Sequence, residues 1–237
     1  VTSSKFVMSG GEITGNVAKD ACGSEPTAPN PGGGGVFIQD NAEFLMTGGT
    51  ISKNKSYSMG GGVATSNKDM NGGGKFRLNG GTISENSAVF GGGVYSYSKD
   101  TVLLEKGHIE KNKAGNAGGG IYVSTAPYNI KLNRTLITGN YASIMGGGVW
   151  SCPKGTVNLG SDSAVYGNTA KTAGDDLAFL KKEPEIDSAS TFGIHQLGGG
   201  LVSWYKDNTL LSLYYAPYGG TPTNGTRYDT KNPGVPI

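Results

Sequence analysis

The length, composition and charge of the chain exclude several classes of protein before any motif is considered. The chain has 237 residues and a formal net charge of +2, and its lysines and arginines are spread without a basic block, which argues against nucleic-acid binding. Glycine accounts for 42 residues, about 18% of the chain against the usual ~7%. Aromatic residues at 9% and recurring Val and Ile argue against disorder, so the glycine content predicts a repeat fold.

The beginning of the chain shows no targeting pattern. The polar opening VTSSKF lacks the charged and apolar regions of a signal peptide. No apolar run reaches the ~18 residues that a membrane span needs. We therefore expect a fragment of a larger protein, with no membrane insertion within it.

The first repeated phrase has the form apolar-x-apolar-x-Gly-Gly-x-Ile-x-x-Asn. Near-identical copies occur at 6–16, 44–54 and 76–86, and looser copies occur at 102–112, 130–140 and 157–168. The copies close on asparagine, at Asn16, Asn54, Asn86, Asn112, Asn140 and Asn168. Successive spacings of 38, 32, 26, 28 and 28 residues indicate a period near 28, with insertions in the first two units.

A second phrase, three glycines followed by Val or Ile, comes five or six residues after the later asparagines. It occurs at 60–63, 91–94, 118–121 and 146–149, and in the first unit a glycine run at 32–36 follows a predicted loop, 17–31. Each unit holds three short apolar patches separated by glycine, asparagine or charged residues, which predicts three short strands per coil. Because alternate side chains face opposite ways and no coil can bury its apolar side alone, the sequence predicts an all-β, right-handed parallel β-helix of about six coils.

The β-helix is expected to cover 1–184, and an irregular segment, 185–237, is expected to cap it. The six closing asparagines are expected to form a structural ladder, because inward amides at a turn can bond to their counterparts in the coils above and below.

Cys22 and Cys152 fall in the first and fifth coils, about four rises of ~4.8 Å apart. A disulfide needs Cα atoms within about 7 Å, so free thiols are expected.

The pairing of Gly-Gly-Gly-Val with Thr-Ile-Ser-x-Asn resembles the short repeats of bacterial polymorphic membrane proteins and related adhesin-like β-helix proteins. The resemblance covers roughly residues 1–180 and departs from the family pattern at Ile51 and Ile83, where phenylalanine is commoner. It implies a secreted, surface-attached stalk that contacts host or neighbouring-cell molecules, without a cofactor or turnover. The segment 192–237, with Trp204-Tyr205-Lys206-Asp207, is similar to the closing region of large repeat-bearing surface proteins of gut-type bacteria.

Aromatic side chains supply the candidate ligand-binding residues. One set follows successive glycine triplets, where alternate side chains must face outward: Tyr95, Tyr97, Tyr122 and Trp150. A stripe of rings would suit a sugar or a protein partner, but ring stacking also stabilises neighbouring coils, so a binding stripe and a structural ladder both remain open. A second set lies in the capping segment: Trp204, Tyr205, Tyr214, Tyr215 and Tyr218.

Many β-helices degrade polysaccharides, so the carboxylates bear on an enzymatic alternative. Asp175-Asp176 resembles the acidic pair of pectin-degrading hydrolases, which need two or three carboxylates on adjacent coils. The pair replaces a glycine triplet, and the partner motifs of those hydrolases do not occur, so a decayed repeat is the favoured interpretation. His108 and His195 lack partners at metal-ligand spacing. We expect no catalytic residue, no metal and no cofactor.

These features together predict a non-catalytic, monomeric, extracellular binding module of a bacterial cell-surface protein. Its ligand would be a host protein, such as an immunoglobulin or a mucin, or a glycan. The expected ligand sites are the loop 17–31, the aromatic edge and the capping segment 185–237, because loops on a rigid scaffold commonly carry recognition. Two alternatives stay open. One is a polysaccharide lyase or glycoside hydrolase on a β-helix, and the other is a passive stalk or spacer.

Overall fold

The structure, a computed structural model, describes most of the repeat region and short pieces of the remainder. The described residues are 4–19, 32–39, 41–66, 73–98, 102–124, 129–151, 156–159 and 163–181, with five short strands between 193 and 228. Every regular element in these ranges is a β-strand. The strands form three long sheets, each built from successive coils, and one small antiparallel pair.

The three long sheets take one or two strands from each coil. Sheet 1 contains β1 (Lys5–Met8), β2 (Glu12–Thr14), β5 (Glu43–Met46), β6 (Thr50–Ser52), β9 (Lys75–Ser84), β12 (Val102–Glu110), β15 (Asn129–Leu132), β16 (Thr135–Thr138), β19 (Thr156–Leu159), β20 (Ala164–Tyr166) and β23 (Gly193–Ile194). Sheet 2 contains β3 (Val17–Ala18), β7 (Lys55–Ser56), β10 (Ser87–Phe90), β13 (Lys113–Ala117), β17 (Tyr141–Ala142) and β21 (Thr169–Ala170). Sheet 3 contains β4 (Val36–Gln39), β8 (Val63–Ser66), β11 (Val94–Ser96), β14 (Ile121–Val123), β18 (Val149–Ser151), β22 (Leu177–Lys181), β26 (Leu213–Pro217) and β27 (Arg227–Tyr228).

Strand pairing between coils is parallel throughout the repeat region, as in the pairing of β5 with β9 and of β11 with β14. Antiparallel pairs are confined to the last part of the chain, where β27 pairs with β26 and β24 (Tyr205–Lys206) pairs with β25 (Thr209–Leu210). The prediction of an all-β parallel solenoid is therefore confirmed. Because β3 begins at Val17, the predicted loop 17–31 is wrong at its first residues, and the remainder of that loop from 20 to 31 lies outside the described residues, as do Cys22 and Cys152.

Four turns of the solenoid are described from end to end, at 41–66, 73–98, 102–124 and 129–151. The sequence predicts about six coils because its repeated phrase occurs six times. The structure instead gives about four complete turns. The first and last copies of the phrase belong to turns of which only parts are described.

The core consists of columns of like side chains in register. Ile51, Ile83, Ile109 and Ile137 lie opposite one another in neighbouring strands of sheet 1 and are fully buried. A second column, Val63, Val94, Ile121 and Val149, faces them from sheet 3 and is also fully buried. Each coil thus removes its neighbours' apolar side chains from water, which is the main favourable term in folding. The predicted inward and outward alternation is confirmed in these columns.

Close approach between coils explains the third glycine of each triplet. A Cβ atom added at Gly62 would lie 2.7 Å from the carbonyl oxygen of Gly93 in the next coil and 3.0 Å from the side-chain nitrogen of Asn86. The first distance is far below van der Waals contact. The carbonyl oxygen of Gly93 and the side-chain nitrogen of Asn86 are both held in place by the stacking of the coils. Glycine is required at this position because the backbone of the next coil occupies the space of a side chain.

Candidate functional site

The closing asparagines form a continuous hydrogen-bonded ladder along one turn of the solenoid. The Oδ1 atom of Asn112 accepts from both the backbone nitrogen and Nδ2 of Asn86, at 3.0 Å each. Its Nδ2 atom donates to the backbone oxygen of Ile83 at 2.9 Å and to Oδ1 of Asn140 at 3.0 Å. The same pattern joins Asn16, Asn54, Asn86, Asn112, Asn140 and Asn168. The ladder satisfies buried amides and carbonyls, so its role is structural.

The ladder ends on a carboxylate that the sequence offers as a catalytic candidate. Oδ1 of Asp176 accepts from the backbone nitrogen of Asn168 at 2.9 Å and from its Nδ2 at 2.8 Å. Asp176 holds the position of the third glycine, the position at which Gly148 abuts Nδ2 of Asn168 in the following coil. Its neighbour Asp175 accepts from the backbone nitrogen of Ala170 at 2.7 Å. Both acids therefore serve the architecture of the last coil.

The rings that follow the glycine triplets stack on the outer face of sheet 3. The ring centroids of Tyr95 and Tyr122 are 5.3 Å apart, and those of Tyr122 and Trp150 are 4.1 Å apart, each pair within 15° of parallel. Tyr97 stacks on Tyr95 at 6.4 Å. Tyr95 is 3% exposed and Trp150 is 4% exposed, so these two rings offer little surface to a ligand. The stack contributes to packing between coils, and a binding role for Tyr97 and Tyr122 stays a prediction.

One contributor to this cluster comes from a different strand and was not foreseen. The ring of Phe90, at the end of β10, meets Tyr122 edge-on with centroids 5.2 Å apart. Met145 packs against the same cluster. Each residue stands immediately before a glycine triplet, Phe90 before 91–93 and Met145 before 146–148, so the periodic pattern does carry a signal for this position.

The aromatic residues of the capping segment are placed only in part. Tyr205 lies in β24, while Tyr214 and Tyr215 lie in β26, beside β22 in sheet 3. Trp204 and Tyr218 lie outside the described residues. Their role as ligand-binding residues remains a prediction.

A concavity on the outer face of sheet 1 is the strongest candidate site in the described part of the chain. It has a volume of about 340 Å³ and is lined by Gly80, Gly81, Thr82, Lys106, Gly107, His108 and Arg134. We call it the basic notch. It lies where β9 and β12 bend through glycines with positive φ and where their register is irregular. Residues from three successive coils therefore meet at one depression.

The cations of the notch stand where earlier coils have glycine. In the aligned phrases, Lys106 and Arg134 take the position that Gly10, Gly48 and Gly80 hold in the first three copies, and the irregular register between β9 and β12 places Lys106 opposite Asn79. Arg134 has a φ of 44°, in the left-handed region that side chains other than glycine rarely adopt. The sequence carries a signal for this site, since cations stand at the same position in two consecutive copies of the phrase, but the apolar pattern of the repeat does not include that position.

The electrostatic character of the notch is positive. The side chains of Lys106, His108 and Arg134 are exposed, and within the described ranges neither Lys106 nor Arg134 has a carboxylate within 4.0 Å. Glu105, the nearest acid along the strand, pairs instead with Arg77 at 2.9 Å. Across the same ranges no group of three or more His, Cys, Asp or Glu side chains could hold a metal ion. The arrangement can bind an anionic group by charge and by hydrogen bonds.

Comparison with known proteins adds no family to this geometry. A scan against protein-family models, a search of curated proteins and a search of solved structures find no match to the chain. The resemblance to adhesin-like repeats therefore rests on the motif residues themselves. Within the described residues, no helix has the length and apolar character needed to cross a membrane.

Proposed function

We propose that this chain is a non-catalytic, extracellular binding module of a bacterial cell-surface protein, and that it recognises a host glycan or a host protein. The observation that supports this function is the basic notch, an open depression of about 340 Å³ with two unpaired cations, Lys106 and Arg134, in the described structure. This volume is at the lower end of the range for small-ligand sites. A group the size of one sugar ring or one side chain fits such a site.

The scaffold favours binding because it holds the notch in one geometry. The notch is built on β9 and β12, which pair with each other and with strands of the coils on either side. The asparagine ladder fixes the turn that follows both strands. A site on paired strands loses little conformational entropy when a ligand arrives, which favours affinity.

A glycoside hydrolase is disfavoured by the position of the acidic pair. Hydrolysis needs two carboxyl groups about 5–10 Å apart on either side of the scissile bond. Asp175 and Asp176 instead accept hydrogen bonds from Ala170 and Asn168. Of the best hydrolase candidates in the sequence, Asp176 thus closes the ladder and Asp175 binds the backbone of β21.

A polysaccharide lyase is the second candidate function, and the notch itself favours it. Elimination from a uronic acid needs a cation beside the substrate carboxylate and a base that removes the neighbouring proton. Lys106, His108 and Arg134 line one depression and include residue types suited to both tasks. Turnover is therefore measured alongside binding.

The test is a screen of the full chain, immobilised, against host glycans and secreted host proteins that include immunoglobulins and mucins. A saturable ligand that is recovered unchanged supports the binding module. Unsaturated sugar products, detected by their ultraviolet absorbance, would establish a lyase and refute the non-catalytic proposal. The absence of any ligand would favour the passive spacer.

Truncation locates the site within the chain. A version that ends at residue 184 lacks the capping segment with Tyr205, Tyr214 and Tyr215. Circular dichroism first checks that the truncated version keeps its β-sheet content. If it does, binding by this version assigns the site to the solenoid. Loss of binding with the fold retained assigns it to the segment 185–237.

A further inference from the structure

We infer that the basic notch binds the anionic groups of an acidic polysaccharide, with Lys106 and Arg134 as the charge-recognising residues. The inference rests on the proposed binding function and names its ligand class. Consecutive coils lie about 4.8 Å apart, so two cations in one column of neighbouring coils lie on a track that runs along the solenoid axis. Such a track matches a polymer with regularly spaced charges.

The cost of assembling this site indicates that the cations have a role. Two like charges in adjacent coils repel each other, and the described structure places no acid between them. Arg134 also adopts a left-handed backbone conformation, with φ of 44°, where glycine would be free of strain. The first three copies of the phrase place glycine at this position, so the fold itself has no need of a cation there.

The rest of the lining suits a sugar. Thr82 lines the notch and lies in register with His108 in the following coil and with Thr50 in the preceding coil, so hydroxyl groups lie in the row next to the cations. The glycine walls, at Gly80, Gly81 and Gly107, carry no side chain and allow a ring to approach the backbone closely. The lining spans three coils, roughly 10 Å at the spacing of paired strands. Charge and hydroxyl partners together are what an acidic sugar polymer requires.

An acidic peptide is a poorer fit for the same surface. Peptides commonly bind sheets by adding a strand to a free edge. β9 and β12 have no free edge, because each pairs with strands on both sides. A peptide would have to use side chains alone, whereas a polysaccharide binds through its substituents in any case.

The experiment measures binding of the full chain to polygalacturonate, to heparin and to neutral dextran. The first two probes separate carboxylate from sulfate recognition, and dextran reports charge-independent binding. We expect one or both acidic polymers to bind and dextran not to bind, with affinity falling as salt is raised because exposed charges are screened. Replacing both cations, Lys106→Gly with Arg134→Gly, introduces the residue that earlier coils hold and should weaken acidic-polymer binding by about tenfold or more.

A second double variant controls for net charge. Lys53→Gly with Lys111→Gly removes the same two charges at exposed turn positions with φ of 55°, where other coils have Gly15, Gly139 or Gly167. We expect this control to bind within about twofold of the unaltered chain, because it leaves the notch intact. Equal losses in both double variants, or unaltered binding after the notch substitutions, would overturn the inference.

The outcome separates this inference from the function on which it rests. Binding of a neutral glycan or a protein alone refutes the acidic ligand and retains the binding module. Cleavage of polygalacturonate that is abolished with Lys106 and Arg134 retains the ligand class and refutes the non-catalytic function. Binding of acidic peptides in preference to both polymers overturns the inference as well.

Discussion

Removal of one central asparagine tests whether the ladder stabilises the solenoid. The side chain of Asn112 makes four hydrogen bonds, two as acceptor and two as donor, and the residue is 1% exposed. At about 1 kcal/mol of net stability each, and with partners left buried and unsatisfied, Asn112→Ala should lower the free energy of unfolding by about 4 kcal/mol. Asn16→Ala is the matched control, because Asn16 is exposed and its side chain makes one ladder bond, to Asn54. Its cost should be about 1 kcal/mol or less.

The assay is urea unfolding followed by far-ultraviolet circular dichroism, with the midpoint and the slope compared between variants. Because coils interact with their nearest neighbours, a central loss can also split the transition, and that splitting would itself report the role of Asn112. If the two alanine variants unfold within about 0.5 kcal/mol of each other, the ladder does not stabilise the centre more than the end, and the reasoning fails.

Five further substitutions test the terminal carboxylate, the turn and the glycine column by the same unfolding measurement. Asp176→Asn keeps an acceptor for Asn168 and should lower the free energy of unfolding by about 1 kcal/mol. Asp176→Gly leaves the backbone nitrogen and Nδ2 of Asn168 without this acceptor and should lower it by about 2–4 kcal/mol. Equal losses for the two variants would contradict the capping role. Glu85 has a φ of 56°, so Glu85→Gly should relieve backbone strain and raise the free energy of unfolding by up to about 1 kcal/mol. The control Glu110→Gly lies in a strand and should lower it by about 0.5–1 kcal/mol. A lower free energy of unfolding after Glu85→Gly would argue against strain at that position. Gly62→Ala should cost about 1–3 kcal/mol, because its Cβ atom would overlap the next coil; a neutral result would mean that the coils separate easily.

The parts of the fold that depend on exact repetition could be predicted from the sequence. The column of isoleucines and the asparagine ladder follow from one rule, that like residues meet when equal units stack. The aromatic residues after the triplets were predicted to face outward, either as a binding stripe or as a structural ladder of stacked rings. The burial of Tyr95 and Trp150 was not predicted, and Phe90, which contacts Tyr122 edge-on, comes from another strand.

The basic notch and the role of Asp176 could not be predicted because each depends on a departure from the repeat. Lys106 and Arg134 matter only once their column is known to border a depression. Asp176 appears as a decayed glycine until the third glycine of a triplet is seen to abut the asparagine amide of the ladder. The role of a residue that departs from the repeat depends on its neighbours in three dimensions, and the repeat period does not specify those neighbours.

The direction of the ladder has a consequence for how this chain can change in length during evolution. Each rung donates toward the following coil, and the last rung donates to Asp176, which fills the space that another asparagine would need. A unit of 28 residues duplicated before Asn168 would bring its own asparagine. That side chain would accept a hydrogen bond from the asparagine of the preceding coil and donate one to the asparagine of the following coil, so the ladder would stay continuous. The same unit placed after Asp176 would find the donor it needs, Nδ2 of Asn168, already bonded to Asp176. Duplication can therefore add coils at interior positions of the solenoid, whereas a coil added after Asp176 would not extend the ladder.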